Sequence, residues 1–114
     1  MSDCIFCKIA QGKIPADKVY EDDDVLAFDD VNPVAPVHIL IIPKKHISTL
    51  NDTTSADEPL MGKMLTCAKN IAEQKKMSKT GYRVVTNVMS GAGQSVFHIH
   101  IHLLGGRPFH WPPG

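Results

Sequence analysis

From Phe97 to Leu103 the chain alternates apolar residues with histidine: Phe97, His98, Ile99, His100, Ile101, His102, Leu103. Successive side chains of an extended strand leave by opposite faces. The order therefore predicts a strand with Phe97, Ile99, Ile101 and Leu103 toward a core, and with His98, His100 and His102 in a row on the exposed side. Three titratable rings displayed together make a poor inert surface, so the row marks a site. One ion shared by all three does not suit it. On a flat strand the Cα atoms of His98 and His102 stand about 13 Å apart, while zinc needs each nitrogen about 2 Å away. One or two of the rings can still bind a metal with ligands from elsewhere.

The loop before the row, Ser90-Gly-Ala-Gly-Gln-Ser95, narrows the chemistry. Gly91, Gly93 and Ser95 let backbone N–H groups crowd onto an oxyanion, and the Ser95 hydroxyl adds a donor. Histidine is a competent nucleophile toward phosphorus, and neighbouring rings shuttle protons near neutral pH. A glycine-rich loop feeding a histidine row points to phosphate chemistry.

Around this segment the pattern reads as one domain over residues 1–114. Residues 5–11 form a short helix closed by Gly12. Residues 19–21 and 25–28 are strands, with Asp22-Asp23-Asp24 as the turn of a hairpin. Residues 37–42 are β-branched and nearly continuous, the mark of a central strand. Leu60, Met61, Met64, Leu65, Ala68, Ile71 and Ala72 recur at helical spacing and predict the main helix over 56–77, with Pro59 in its first turn. Residues 82–88 and 96–104 are further strands. Helices lying on an antiparallel sheet give an α+β fold.

With 43% hydrophobic residues the 114-residue chain has enough apolar side chains for a core. Twelve basic residues balance twelve acidic ones, so no long-range field draws it to nucleic acid or to an anionic membrane. No apolar run approaches the length needed to span a bilayer, and the start lacks the pattern of a secretory signal. A soluble intracellular protein is expected, with a small anionic ligand recognised locally. Of three cysteines, Cys67 reads as a buried apolar residue. Cys4 and Cys7 form C-x-x-C, which alone signals a redox pair, half a zinc site or coincidence. The redox reading wants a βαβ context that is missing. Zinc needs two more ligands, for which His46 and His98 are the candidates.

Taken together, His98-Ile-His100-Ile-His102-Leu-Leu, Phe28-Asp-Asp-Val-Asn-Pro33, Pro36-Val-His38, Ile42-Pro-Lys-Lys-His46, Gly93-Gln-Ser-Val96 and His110-Trp-Pro-Pro-Gly114 resemble the histidine triad superfamily. They are most similar to its Hint branch, the purine nucleoside phosphoramidases. The resemblance covers nearly the whole chain. It implies a five-stranded antiparallel sheet with one long and one short helix, and a homodimer in which two sheets join into ten strands. It also implies a tail, residues 105–114, that reaches the partner's active site and shapes leaving-group choice.

The activity it implies is cleavage of the P–N bond of adenosine or guanosine phosphoramidates, with release of AMP or GMP. His100 would attack the α-phosphorus to form a nucleotidyl-histidine, and His102 would hold a phosphate oxygen. Ser95 would bond the leaving group, and backbone near Gly93, Gln94 and Ser95 would neutralise charge. Asn87 would bond the phosphate side, and His38 would set tautomers in the row. Asp30 would take the ribose hydroxyls, and Phe6, Ile9, Ile14, Phe28 and Val31 would line a slot for the base. Some relatives of this kind bind zinc with the set matching Cys4, Cys7, His46 and His98, whereas others lack the cysteines; a structural zinc is expected here. His98 is thus claimed by both the catalytic row and the zinc site. No organic cofactor is implied, and the location is cytoplasmic, with nuclear presence compatible. The rival readings are a nucleotide-binding scaffold with weak catalysis and a dinucleoside polyphosphate hydrolase.

Overall fold

The computed structural model describes residues 3–114. Helix α1 (Ile5–Ala10) opens on Cys4, whose thiol accepts the Cys7 backbone N–H at 3.3 Å, and it is followed by Gly12 at φ +77°. Strands β1 (Lys18–Glu21) and β2 (Val25–Asp29) form the expected hairpin. Its turn is closed by one oxygen of Asp22, which accepts from the backbone of Asp24 at 2.8 Å and of Val25 at 2.9 Å. Asp22 is thus an Asx-type turn former. Strand β3 (Val37–Pro43) is central, and β4 (Tyr82–Val85) and β5 (Ile101–Gly105) complete an antiparallel sheet of order β1-β2-β3-β5-β4.

Both faces of the middle strands are covered, which explains why β2 and β3 read as continuous apolar runs. On one face Val25, Ala27, Ile39, Ile41, Ile101 and Leu103 pack under helix α2 (Glu58–Gln74), through its Met64, Cys67, Ala68, Ile71 and Ala72. On the other, Leu26, Phe28, Leu40 and Ile42 pack with Phe6 and Ile9 of α1. Cys67 is buried as expected, and burial pushes its thiol up to about 11. Helix α2 is shorter than the periodicity predicts. A 3-10 turn (Ser55–Asp57) precedes it, and beyond Gln74 the chain takes a positive φ of 62° at Lys76. That reversal returns Met77 to the core.

Two expectations are corrected. The last strands are shorter than 82–88 and 96–104, since the ladder between β3 and β5 stops at Ile41 and Ile101. The residues before Ile101 leave the sheet: the Ile99 N–H bonds Ile47 O at 2.6 Å. With that, strict alternation fails. Phe97 is exposed rather than core-facing, while His98, Ile99, His100 and Ile101 are all buried. No helix among the described residues is long and apolar enough to cross a membrane.

Candidate active site and metal cluster

The histidine row is built from one regular and one irregular piece. His102 lies in β5 opposite Leu40 of β3 and Val85 of β4, and His38 lies opposite Leu104. Directly opposed residues share a sheet face, so His38 and His102 occupy the face that carries α1. The rings of His100 and His102 sit 5.0 Å apart, centroid to centroid. His98, beyond the end of the ladder, turns away toward Cys4 and Cys7.

Hydrogen bonds assign each ring its tautomer, because a carbonyl only accepts and a backbone N–H only donates. His100 Nδ1 lies 2.8 Å from His98 O. It therefore carries the proton, and Nε2 presents a lone pair. The Val34 N–H donates to His38 Nδ1 at 3.1 Å, so the His38 proton sits on Nε2. That group reaches His102 Nδ1 at 2.9 Å, with Asp30 Oδ2 alongside at 3.2 Å. His102 Nδ1 accepts, which leaves its Nε2–H as a donor. Adjacent rings thus offer opposite functions, a lone pair on His100 and an N–H on His102. Burial lowers the pKa of both, and His102 falls to about 4 through burial and then the neighbouring His100 and His38. Both are neutral at physiological pH.

The loop before the row is braced by Gln94, which is buried. Its Oε1 accepts the Met89 N–H at 2.8 Å, and its Nε2 donates to Ser48 O at 2.8 Å and Val96 O at 3.1 Å. Gly93 adopts φ +94°, and Met89 holds φ +72°, a conformation that disfavours side chains. Ser95 is exposed at the end of this loop. The Asn87 amide lies against Gly93, at 3.8 Å from where a Cβ would stand.

The residues expected to line a base slot divide. Ile9, Phe28 and Val31 line one cavity of about 300 Å³, together with Pro15, Ala16 and Asp17. Val31 is 89% exposed, an apolar rim open to a ligand. Phe6 is packed in the core and places its ring edge-on to Phe28 at 5.7 Å and to His100 at 5.1 Å. Ile14 packs beside it. Asp30 caps its own turn, with Oδ1 accepting the Asn32 N–H at 2.9 Å.

The second cluster joins Cys4, Cys7, His46 and His98, whose ligand atoms lie within 4.8 Å of one another. His98 Nε2–H donates to Pro43 O at 2.7 Å, which turns a bare Nδ1 toward the cysteines. It stands 3.3 Å from Cys4 Sγ, 3.5 Å from Cys7 Sγ and 3.2 Å from His46 Nδ1, and Cys7 Sγ is 3.3 Å from His46 Nδ1. The bond lengths of tetrahedral zinc with sulfur and nitrogen ligands imply edges of about 3.3–3.8 Å. The donor set and its spacing fit such an ion. Asp30, His38 and His102 also converge, but the Val34 bond holds the proton of His38 on the nitrogen that faces inward, so His38 offers that trio no lone pair.

Two contributors escape a reading of the sequence: the Gln94 side chain and the Val34 N–H. Each acts through backbone that only the folded loops bring into range.

The family model described as HIT domain matches residues 11–109. A purine nucleoside phosphoramidase of Escherichia coli K12 is 52% identical over 104 residues, which is 91% of this chain and 87% of that protein. A HIT-like protein of Synechococcus elongatus is 54% identical over 112 residues, covering 98% and 97% of the two chains. Among solved structures, a HIT family hydrolase from Legionella pneumophila superposes with a TM-score of 0.97 at 57% identity, over 98% of this chain and all of that one. A histidine triad protein from Clostridium difficile gives 0.94 at 48% identity, over 96% of each. On this match across nearly its whole length, the chain belongs to the HIT domain family.

Proposed function

We propose that the protein is a purine nucleoside phosphoramidase working through a nucleotidyl-histidine. The observation that carries the reading is the paired tautomers, a His100 Nε2 lone pair beside a His102 Nε2–H donor. The phosphoramidase of E. coli, similar over most of the chain, supports it. In the first step His100 Nε2 forms a bond to the α-phosphorus and the P–N bond breaks. The amine departs with a proton that the Ser95 hydroxyl, exposed at the end of its loop, relays from solvent. His102 Nε2–H and backbone N–H groups of the 93–95 loop take the charge on the phosphoryl oxygens. In the second step water adds to phosphorus and gives up a proton to solvent, the bond to His100 Nε2 breaks, and AMP or GMP is released. His38 is a positioning residue, since it acts on substrate only through His102. The base occupies the cavity of Ile9, Phe28 and Val31, with Asp30 toward the ribose.

Cys4, Cys7, His46 and His98 hold zinc in this reading, as a structural tie between α1 and the histidine segment. His98 is then a ligand, and its contribution to catalysis is its carbonyl, which fixes the His100 tautomer. The protein works as a homodimer through the open edge of β4, and the end of the tail at Trp111, 84% exposed, meets the partner's site. The test is release of AMP from an adenosine phosphoramidate. Wild-type protein should turn it over, and His100→Ala should lose at least about a thousandfold in kcat/KM. AMP binding without any turnover by the wild type would leave a nucleotide-binding protein instead.

A further inference from the structure

The chain has only two arginines, Arg83 and Arg107, and both stack on one ring. Their guanidinium carbons lie 5.2 and 4.4 Å from the Phe109 centroid. Both line one cavity of about 350 Å³, which also includes Thr80. Lys18, Lys44, Lys45 and Lys63 each pair with a carboxylate, whereas neither guanidinium does among the described residues. Of five N–H donors apiece, Arg83 gives one to His110 O, and Arg107 gives two, to Pro108 O and Val34 O. Two fixed like charges with most of their donors unspent, and no local anion, suit an incoming one.

Position ties this cavity to the catalytic face. Arg83 opposes Leu104 in the same ladder in which Val85 opposes His102. It therefore projects from the face that bears His38 and His102, about 7–8 Å from His102 between Cα atoms. It stands on β4, while Phe28 and the base cavity stand on β2, two strands beyond β5. Joining β4 edges in a dimer bonds backbone in the sheet plane, a pairing that does not itself cover this face.

We propose that Arg83, Arg107 and Phe109 form an anion subsite for the leaving group, which selects phosphoramidates whose amine carries a carboxylate or a phosphate. The subsite rests on the phosphoramidase reading for its substrate but not for its existence, and two measurements separate these. Protein saturated with AMP is titrated with inorganic phosphate and, separately, with succinate, while the arginine Nε–H resonances are followed. Saturable shifts are expected, weakened at least about tenfold in Arg83→Gln or Arg107→Gln, the size of one charge-assisted hydrogen bond. Response to only one anion assigns the class, and response to neither overturns the subsite.

Turnover is then compared for adenosine phosphoramidates with a neutral, a carboxylate-bearing and a phosphate-bearing amine. An advantage of about tenfold or more in KM is expected for the charged amine that shifted the resonances. Arg83→Gln should erase it without changing the neutral substrate, and Arg83→Lys should retain most of it. Equal KM for charged and neutral amines would overturn the proposed selection. Absence of all turnover would defeat the phosphoramidase reading, and the titration would still decide whether the anion site exists.

Discussion

His100 and His102 stand two residues apart and present opposite functions because different partners hold their inner nitrogens. The assignment has a pH consequence at His102. Its pKa of about 4 lies below the ordinary 6.5, chiefly through burial. Between those values the unfolded chain binds a proton that the folded chain does not, so stability holds above about pH 6.5 and falls as pH drops toward 4. An NMR titration should show His102 neutral down to about pH 4, and the melting temperature at pH 5 should lie several degrees below that at pH 7. A His102 titrating near 6.5 would contradict the buried, His38-bonded ring. Gln94 gives a second prediction. Gln94→Ala leaves the Met89 N–H and two carbonyls without partners, and should lower stability by about 1–3 kcal/mol in denaturant unfolding. At this scale the sequence reveals which residues are chemical, since histidine at every second position has few bland explanations. It does not reveal their tautomers, which are set by Val34, Pro43 and His98 backbone atoms.

Among the elements, α1 binds the two ends of the site together. Cys4 and Cys7 flank Phe6, whose ring lies edge-on to both His98 and His100. Metal analysis should find one zinc per chain. Removal by chelation, or Cys7→Ser, should lower the melting temperature by about 10 °C or more, since a ligand present at a hundredfold its Kd contributes about 2.7 kcal/mol. Zinc-free protein with an unchanged melting curve would remove the structural tie. The β5 end gives a packing test. A Cβ on Gly105 would run into the Sδ of Met77, itself buried beneath the sheet, so Gly105→Ala should destabilise by about 1–3 kcal/mol. Most elements were legible because apolar spacing is local: the hairpin at Asp22, the run 37–42 and the stripe on α2. The strand at 96–104 was not, because the Ile99 N–H finds Ile47 instead of a ladder partner. Alternation predicts faces only while a ladder continues.

For the whole molecule, β4 presents an unpaired edge with Val84 exposed on its helix-side face, and Leu65 of α2 is also exposed. Open edges of this kind pair with another chain. Sedimentation should give twice the chain mass, and Val84→Asp should reduce it to one. A wild-type monomer would refute the ten-stranded sheet. Family membership was readable in the sequence because motifs far apart along it converge on one face. The most direct test of the reaction concerns the protein intact. Quenched in acid-free denaturant during turnover of an adenosine phosphoramidate, the protein should gain one adenylyl group, and peptide mapping should place it on His100. Turnover with no adduct, or an adduct on His102, would contradict the nucleophile on which this mechanism depends.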